Sequence, residues 1–316
     1  MMLASTANDL FWMARYVERA ESIARTLSAA GRISAIPQVS GEETNEWSSA
    51  LAAAAQLNAF METGREPTEK EVFDYLAFDE SNPSSIKSCL TQARHNARSV
   101  RPALTTETWE AINTAYLDFR KYEKAGHSLR AHQEFLRWVL DVSLRVSGTA
   151  FRNMLRDERY WFSRLGFYIE RADNTARILD VKYYVLLPSV SAVGSSIDNV
   201  QWESILRSVS ARGGFRMAYD NTFDPRDIAQ FLILDKRMPR SLGFCVRKIR
   251  DNLGYLVQSY GFRPQSWQSA DHIDRNYLSF DIDAIFDYGL HEFIRKLLSL
   301  LYELGQQIET DYRFSE

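Results

Sequence analysis

Apolar residues recur at three- and four-residue spacing along most of the chain, and no run alternates convincingly at period two. Prolines and glycines are few and gather between the periodic segments. The pattern predicts an all-α protein whose helices fall into two similar series. Each series opens with a long helix, over about 5 to 30 and about 158 to 186, followed by a loop rich in Ser, Gly and Pro. Trp47 and Trp202 are expected to open a second helix. A short third helix follows a cap, with the form of a capping box at Thr68-x-x-Glu71 and a proline at the first helical position at Asp224-Pro225. Asn82-Pro83-Ser84 and Met238-Pro239-Arg240 begin a fourth, and a long final helix closes each series over about 128 to 155 and 280 to 312.

The two series share residues as well as rhythm. YVERAESIAR at Tyr16 to Arg25 reappears as YIERADNTAR at Tyr168 to Arg177, an offset of 152. Trp47 and Trp202 match at offset 155, and Asp79, Pro83, Ser85, Cys89, Arg94 and Asn96 match Asp235, Pro239, Ser241, Cys245, Arg250 and Asn252 at offset 156. Glu134, Phe135 and Arg137 match Glu292, Phe293 and Arg295 at offset 158. A slowly drifting offset is what small loop insertions produce, so the order of identities implies a tandem duplication. The expectation is one domain over residues 1–316, built of two repeats of roughly 150 residues, 1–156 and 157–316, packed about a pseudo-twofold axis. The segment Pro188 to Asn199 matches Gly31 to Asn45 inside the first repeat, so it is not read as a domain boundary.

At 100° per residue, Leu10, Trp12, Met13, Tyr16, Val17, Ala20, Ile23, Ala24 and Leu27 share one broad arc that must face core. Glu18, Glu21 and Arg25 fall on a narrow sector beside it, with Glu21 and Arg25 in the favourable i,i+4 order. Arg19 projects at the other edge, near Trp12, so the two residues of each Glu-Arg pair point in different directions. Glu170, Asp173, Arg177 and Arg171 repeat the geometry, but Phe167 stands at the register of Arg15 and Ile178 at that of Thr26. The second long helix is therefore expected to be buried nearly all round. Ala20 with Ala24, and Ala172 with Ala176, would let two helix backbones approach closely and bring both acid-base rows to a shared centre. Such rows serve either as structural ion pairs or as a polar cavity for an anionic or amide-bearing ligand or a partner's peptide.

Hydrophobic content of 45% suffices for a sizeable core, and a formal charge of -3 provides no basic field to draw in nucleic acid or an anionic membrane. Eight lysines among 38 basic residues leave 30 arginines, the better carboxylate partner. Two cysteines, Cys89 and Cys245, in no metal-ligand spacing, read as buried thiols. The N-terminal segment lacks the form of a signal peptide and no run nears the roughly 20 apolar residues of a membrane span. A cytoplasmic protein is expected.

Motifs of autonomous chemistry are missing. The sequence has no GxGxxG, no Walker loop and no HExxH, so no cofactor and no metal is expected. His132 and His291, near the starts of the final helices, read as capping or surface residues. Asp271, Asp274, Asp281 and Asp283 form an acidic cluster suited to a hard cation or, more commonly, to a helix N-terminus. The repeated Asp79, Arg94, Asn96 and Asp235, Arg250, Asn252 are expected to fix the loop before the fourth helix.

The stretches LFWMARYVERAESIARTL, ARHNARSVRPAL and DERYWFSRLGFYIERADNTARILDVKYY closely resemble the alpha-E family, bacterial all-helical proteins named for a repeated Glu-Arg motif. The resemblance covers essentially the whole chain. It implies an association with circularly permuted ATP-grasp proteins and with transglutaminase-like or cysteine-peptidase-like proteins, in the service of peptide or amide bond formation. The motif positions carried over are Glu18, Arg19, Glu21 and Arg25, then Glu170, Arg171, Asp173 and Arg177, with Trp12, Arg15 and Tyr16 in the opening helix. Phe167 stands where relatives have a basic residue and Arg159 where glycine is commoner. The expected role is that of an accessory partner to an ATP-grasp amide ligase, with a self-associating helical body and a binding site of Arg15, Glu18, Arg19, Glu21, Arg25, Glu170, Arg171, Asp173 and Arg177. The alternatives are an enzyme acting on a peptidyl or aminoacyl substrate, with Glu18 or Glu170 as catalytic base, and a purely structural protein.

Overall fold

The computed structural model describes residues 2–34, 46–123, 128–184, 196–219 and 224–314, and at 182–184 and 196–200 the backbone only. All regular structure among them is helical. The first half contains α1 (Ala4–Ser34), α2 (Glu46–Ala53), α3 (Leu57–Glu62), α4 (Glu69–Ala77), α5 (Ile86–Ser99), α6 (Thr106–Glu123) and α7 (Leu129–Asn153). The second contains α8 (Glu158–Tyr184), α9 (Ser196–Ser208), α10 (Arg212–Ala218), α11 (Pro225–Ile233), α12 (Leu242–Tyr260), α13 (Gln265–His272), α14 (Ile282–Tyr288) and α15 (Leu290–Asp311). No described helix is long and apolar enough to cross a membrane.

Local signals explain most starts. Thr68 accepts a hydrogen bond from the Glu71 amide and so caps α4, but the return bond of the capping box is not made: the Thr68 amide donates to the Glu66 carbonyl instead. Asp224 accepts from the Arg226 amide ahead of Pro225, and Ser85 and Ser241 cap α5 and α12. Several boundaries differ from the sequence expectation, which also lacks the short helices α3, α10 and α13. Trp202 lies in the middle of α9, which begins at Ser196. The final helix of the second half is two helices, α14 and α15, because Gly289 takes φ 104, a left-handed conformation that stops one helix and starts the next. Finally, α6 is a separate helix between the fourth and final helices of the first half. Of the two matched loops, residues 35–45 and 188–195 lie outside the described residues.

α1 and α8 are the axis of the molecule. No residue of α1 from 6 to 31, or of α8 from 158 to 181, is exposed, as their broad apolar arcs demand. α1 packs on α5 and α7, α8 packs on α12 and α15, and the two pack on each other. In the outer shell α6 bridges α5 and α7, while α13 bridges α12 and α15. Ala20, Ala24, Ala172 and Ala176 are all buried, and a further small residue, Gly166, brings the two backbones into contact. A Cβ added at Gly166 would fall inside the van der Waals surface of the Phe11 carbonyl oxygen and 2.9 Å from its carbonyl carbon. Glycine there sets how deeply α8 seats on α1, and with that the alignment of every charged pair across the crossing. Cys89 and Cys245 are buried free thiols, and burial pushes each up to about 12, so they are inert.

Candidate functional site

Glu170 projects from α8 toward α1 and meets two arginines one turn apart. Arg19 donates through Nε to Oε1 at 2.6 Å and through Nη2 to Oε2 at 3.0 Å, while Arg15 donates through Nε to Oε2 at 2.9 Å. Arg15 is steadied from its other side by the Trp12 ring, 4.4 Å from its guanidinium carbon. The i,i+4 pair Asp173 and Arg177 lies one turn further along α8, with both Asp173 oxygens taken by Arg177.

The mirror arrangement stands on the other side of the crossing. Arg171 of α8 donates Nε to Glu18 Oε1 at 2.7 Å and Nη2 to Glu18 Oε2 at 3.0 Å, a forked pair. A second guanidinium comes from Arg240, just before α12, which reaches Glu18 Oε1 at 3.0 Å and also Glu21 Oε1. Glu21 further accepts from Arg25 at 2.8 Å and from the Ser143 hydroxyl of α7 at 2.5 Å. Phe167 fills the register of Arg15, with the Arg171 guanidinium 4.0 Å over its ring.

These contacts correct one reading and support another. The rows Glu21–Arg25 and Asp173–Arg177 form as the helical wheel predicts. The two residues of each Glu-Arg pair do point in different directions, and Arg19 and Arg171 are the principal clamps, each reaching the centre opposite that of its own neighbouring glutamate. Each glutamate is held by the arginine of the other helix, because the crossing turns the Arg edge of α1 onto the Glu face of α8 and the reverse. All nine candidate residues therefore gather at the crossing, in two clusters rather than one: Arg15, Arg19, Glu170, Asp173 and Arg177 in the first, Glu18, Glu21, Arg25 and Arg171 in the second. Sequence reasoning missed Arg240, Ser143 and Ser210, the last of which accepts from Arg25 Nη1 at 2.6 Å.

The two clusters differ in access. A cleft of about 390 Å³, walled by α1, α8 and α15, opens on the first. Both glutamates are themselves buried, at 2% for Glu170 and 0% for Glu18, but the arginines on Glu170 reach the cleft wall, with side chains 17% and 22% exposed against 12% for each of the two on Glu18. Three register-matched positions account for the difference. Arg240 corresponds to Ser84 at offset 156, Ser210 to Ala55 at offset 155, and Ser143 to Leu301 at offset 158. Ser84, Ala55 and Leu301 all line the cleft. The sealed cluster has a long cation and two hydroxyls where the open one has a short hydroxyl and two apolar side chains. Ala55 and Ser210 even share a left-handed backbone, at φ 56 and φ 52, so the match is local as well as numerical.

The electrostatics follow from the pairing. Burial alone would raise the Glu170 carboxyl, but Arg19 and Arg15 outweigh it and bring it to about 2. Glu21 is likewise brought to about 2, burial being overcome by Arg240 and Arg25. Both lie below the ordinary 4.5, so their stabilisation is complete above that value and is lost as pH falls toward 2. Each contributes on the order of 3 kcal/mol. Thermal melts should therefore hold level from neutral pH to about 5.5 and fall steeply below about 4.5; a Tm that stays level down to pH 3 would contradict the pairing.

Other candidates resolve as structure. His132 is buried and stacked on Phe73 at 3.6 Å between ring centroids, not at the surface, while the cap of α7 is Ser128. His291 bonds Asp180 at 2.6 Å. Asp281 caps α14, Asp274 binds Arg250 and Asp271 binds Arg275; among the described residues no cluster suits a metal ion. Asp79 and Asp235 do fix the loops before α5 and α12, through the Ser81 and Arg237 amides, but Arg94 instead bonds Asn113 of α6.

Comparison with known proteins places the chain. It matches uncharacterized proteins of Mycobacterium bovis and Mycobacterium tuberculosis, each 22% identical over 279 residues, and each match spans 80% of this chain but 30% of the relative. The chain thus covers less than a third of the length of these curated relatives. No solved structure matches it. The family model described as a predicted alpha-helical domain with a conserved ER motif matches residues 2–312, and the chain, whose Glu-Arg pairs clasp one another across α1 and α8, belongs to that Alpha-E family.

Proposed function

We propose that this protein is an accessory partner of an ATP-grasp amide or peptide ligase in the cytoplasm, and that the cleft beside Glu170 holds a group taking part in amide bond formation. In this reading the chain is a tandem duplication, 1–156 and 157–316, folded about a pseudo-twofold axis. The equivalent pairings of α1 with α5 and α7, and of α8 with α12 and α15, support it. So do the reciprocal Glu-Arg clasps. The observation that carries the functional reading is the difference between the two centres: one is sealed by its own side chains and the other is left open with donors unused. A purely structural ion pair has no need of an open face. A transglutaminase-like or peptidase-like protein is a further partner consistent with the family resemblance, and the helical body provides a surface for self-association.

The enzyme reading, with Glu18 or Glu170 as general base, fits the geometry less well. Both oxygens of each carboxylate already receive guanidinium hydrogen bonds, and Glu170 is held near 2, far from a group poised to take a proton at neutral pH. The test is to purify the chain with and without a neighbouring ATP-grasp protein and follow ATP turnover against candidate amines and carboxylates. Turnover only in the mixture is expected. Turnover of a peptidyl or aminoacyl substrate by this chain alone would defeat the accessory role, and unchanged output from a Glu170→Gln, Arg177→Lys variant would leave only a structural one.

A further inference from the structure

We infer that the open cleft binds the C-terminal carboxylate of a peptide, with Arg15 as its anchor, an assignment that rests on reading the Glu170 cleft as a ligand site. Hydrogen-bond capacity decides the sign of the ligand. Glu170 already accepts three guanidinium hydrogen bonds, from Arg15 and Arg19, and Asp173 two from Arg177, so every carboxylate oxygen is engaged. The surplus is in donors. Arg15 uses only Nε, and among the described residues its Nη1 and Nη2 make no hydrogen bond, nor does Nη1 of Arg177. Asn174, on the cleft wall, buries an Nδ2 without a partner. The Asn174 Nδ2 is buried and its missing bond is costly, while the free guanidinium nitrogens face the cleft, where a carboxylate can replace water.

Arg15 is also preorganised. Its guanidinium is fixed by Glu170 on one edge and by Trp12 over one face, and Gly305 of α15 leaves room beside Nη1, where an added Cβ would come to 4.0 Å. A guanidinium held in this way offers a planar fork matched to a carboxylate. Charge favours a monoanion over a phosphate: the arginines Arg15, Arg19 and Arg177 in the cleft are already balanced by Glu170, Asp173 and Glu309. The cleft is therefore near neutral, with no excess positive charge to hold a dianion. Gln306 and Tyr302 on the α15 wall provide groups that can bond a peptide main chain, and the cleft volume of about 390 Å³ suits a few residues. The sealed centre is the internal control. There the register of Arg15 is Phe167, that of Ser84 is Arg240, and the spare nitrogen of Arg25 is taken by Ser210.

The experiment titrates the full-length chain, by calorimetry and by NMR, with N-acetyl-trialanine, with the same peptide as its C-terminal amide, and with inorganic phosphate. The acid should bind about tenfold or more tightly than the amide, and phosphate more weakly than the acid. The double exchange R15F/S84R copies the sealed centre, keeps the charge count and should fold to wild-type helicity with acid binding abolished. Asn174→Ala is the gentler variant and should weaken acid binding about fivefold or more with an unchanged Tm. Equal binding of acid and amide would overturn the carboxylate assignment while leaving a peptide site. Tighter binding of phosphate would overturn the ligand class. Absence of binding by either peptide, or wild-type binding by a folded R15F/S84R, would overturn the inference altogether, whereas ATP turnover with the ligase reads the accessory role independently.

Discussion

Glu18→Gln should destabilise the protein by about 3–5 kcal/mol, while Glu170→Gln, the same change at the matched position, should cost clearly less. Glu18 is fully buried and its oxygens hold two guanidinium groups, Arg171 and Arg240, each largely out of solvent. A glutamine there turns an acceptor-only group into one that is half donor, so at least one guanidinium is left without a counter-charge in a place water cannot enter. For a chain of this size the loss corresponds to a fall in Tm of roughly 10 °C. Glu170 also holds two arginines, but they stand at the wall of an open cleft, where water can rehydrate them. The penalty at Glu170 should therefore be the smaller one, within the roughly 3 kcal/mol that its pairing contributes. Chemical denaturation of both variants measures this directly, and equal stability losses would show that the difference in access between the two centres has no energetic meaning.

The difference between the centres also shows what the sequence could and could not convey. Helical period and caps gave the elements, since both are local: Thr68, Ser85, Asp224 and Ser241 bond to amides within three residues of themselves. The register match told which residues to compare, and the wheel paired Glu21 with Arg25 and Asp173 with Arg177, because i,i+4 neighbours need only one helix. It placed Arg19 and Arg171 away from their own neighbouring glutamates but could not name their partners, because a wheel has no partner helix on it. Arg240 was missed for a related reason. Arg240 was read only as the start of a helix after Met238-Pro239, and only its match to Ser84 could have marked it as a change of charge between matched positions. The break at Gly289 and the seat at Gly166 were unreadable in a similar way: a lone glycine in a helical pattern signals only weaker helix propensity, and what lies opposite is a fact of tertiary packing.

Gly166→Ala is expected to be at least as damaging as Glu18→Gln, with a loss of about 4 kcal/mol or more, although alanine is the better helix former. The obstruction is the Phe11 carbonyl and its neighbouring backbone atoms, so no rotamer change can relieve it; α8 must lift away from α1. Glu170 lies one turn beyond Gly166 on the same face, with Arg171 beside it, so the displacement falls directly on both clasps. Arg19 with Glu170 and Arg171 with Glu18 would lengthen together, coupling a steric clash to the exposure of four buried charges. Gly148→Ala in α7 is the control: an added Cβ there meets nothing within 4 Å, and the change should stabilise by about 0.5–1 kcal/mol through helix propensity alone. Urea unfolding of the two alanine variants separates the cases. Were Gly166→Ala to unfold at or above the wild-type midpoint, α1 and α8 could not be packed backbone to backbone at Phe11, and the reciprocal Glu-Arg geometry would lose the contact that sets it.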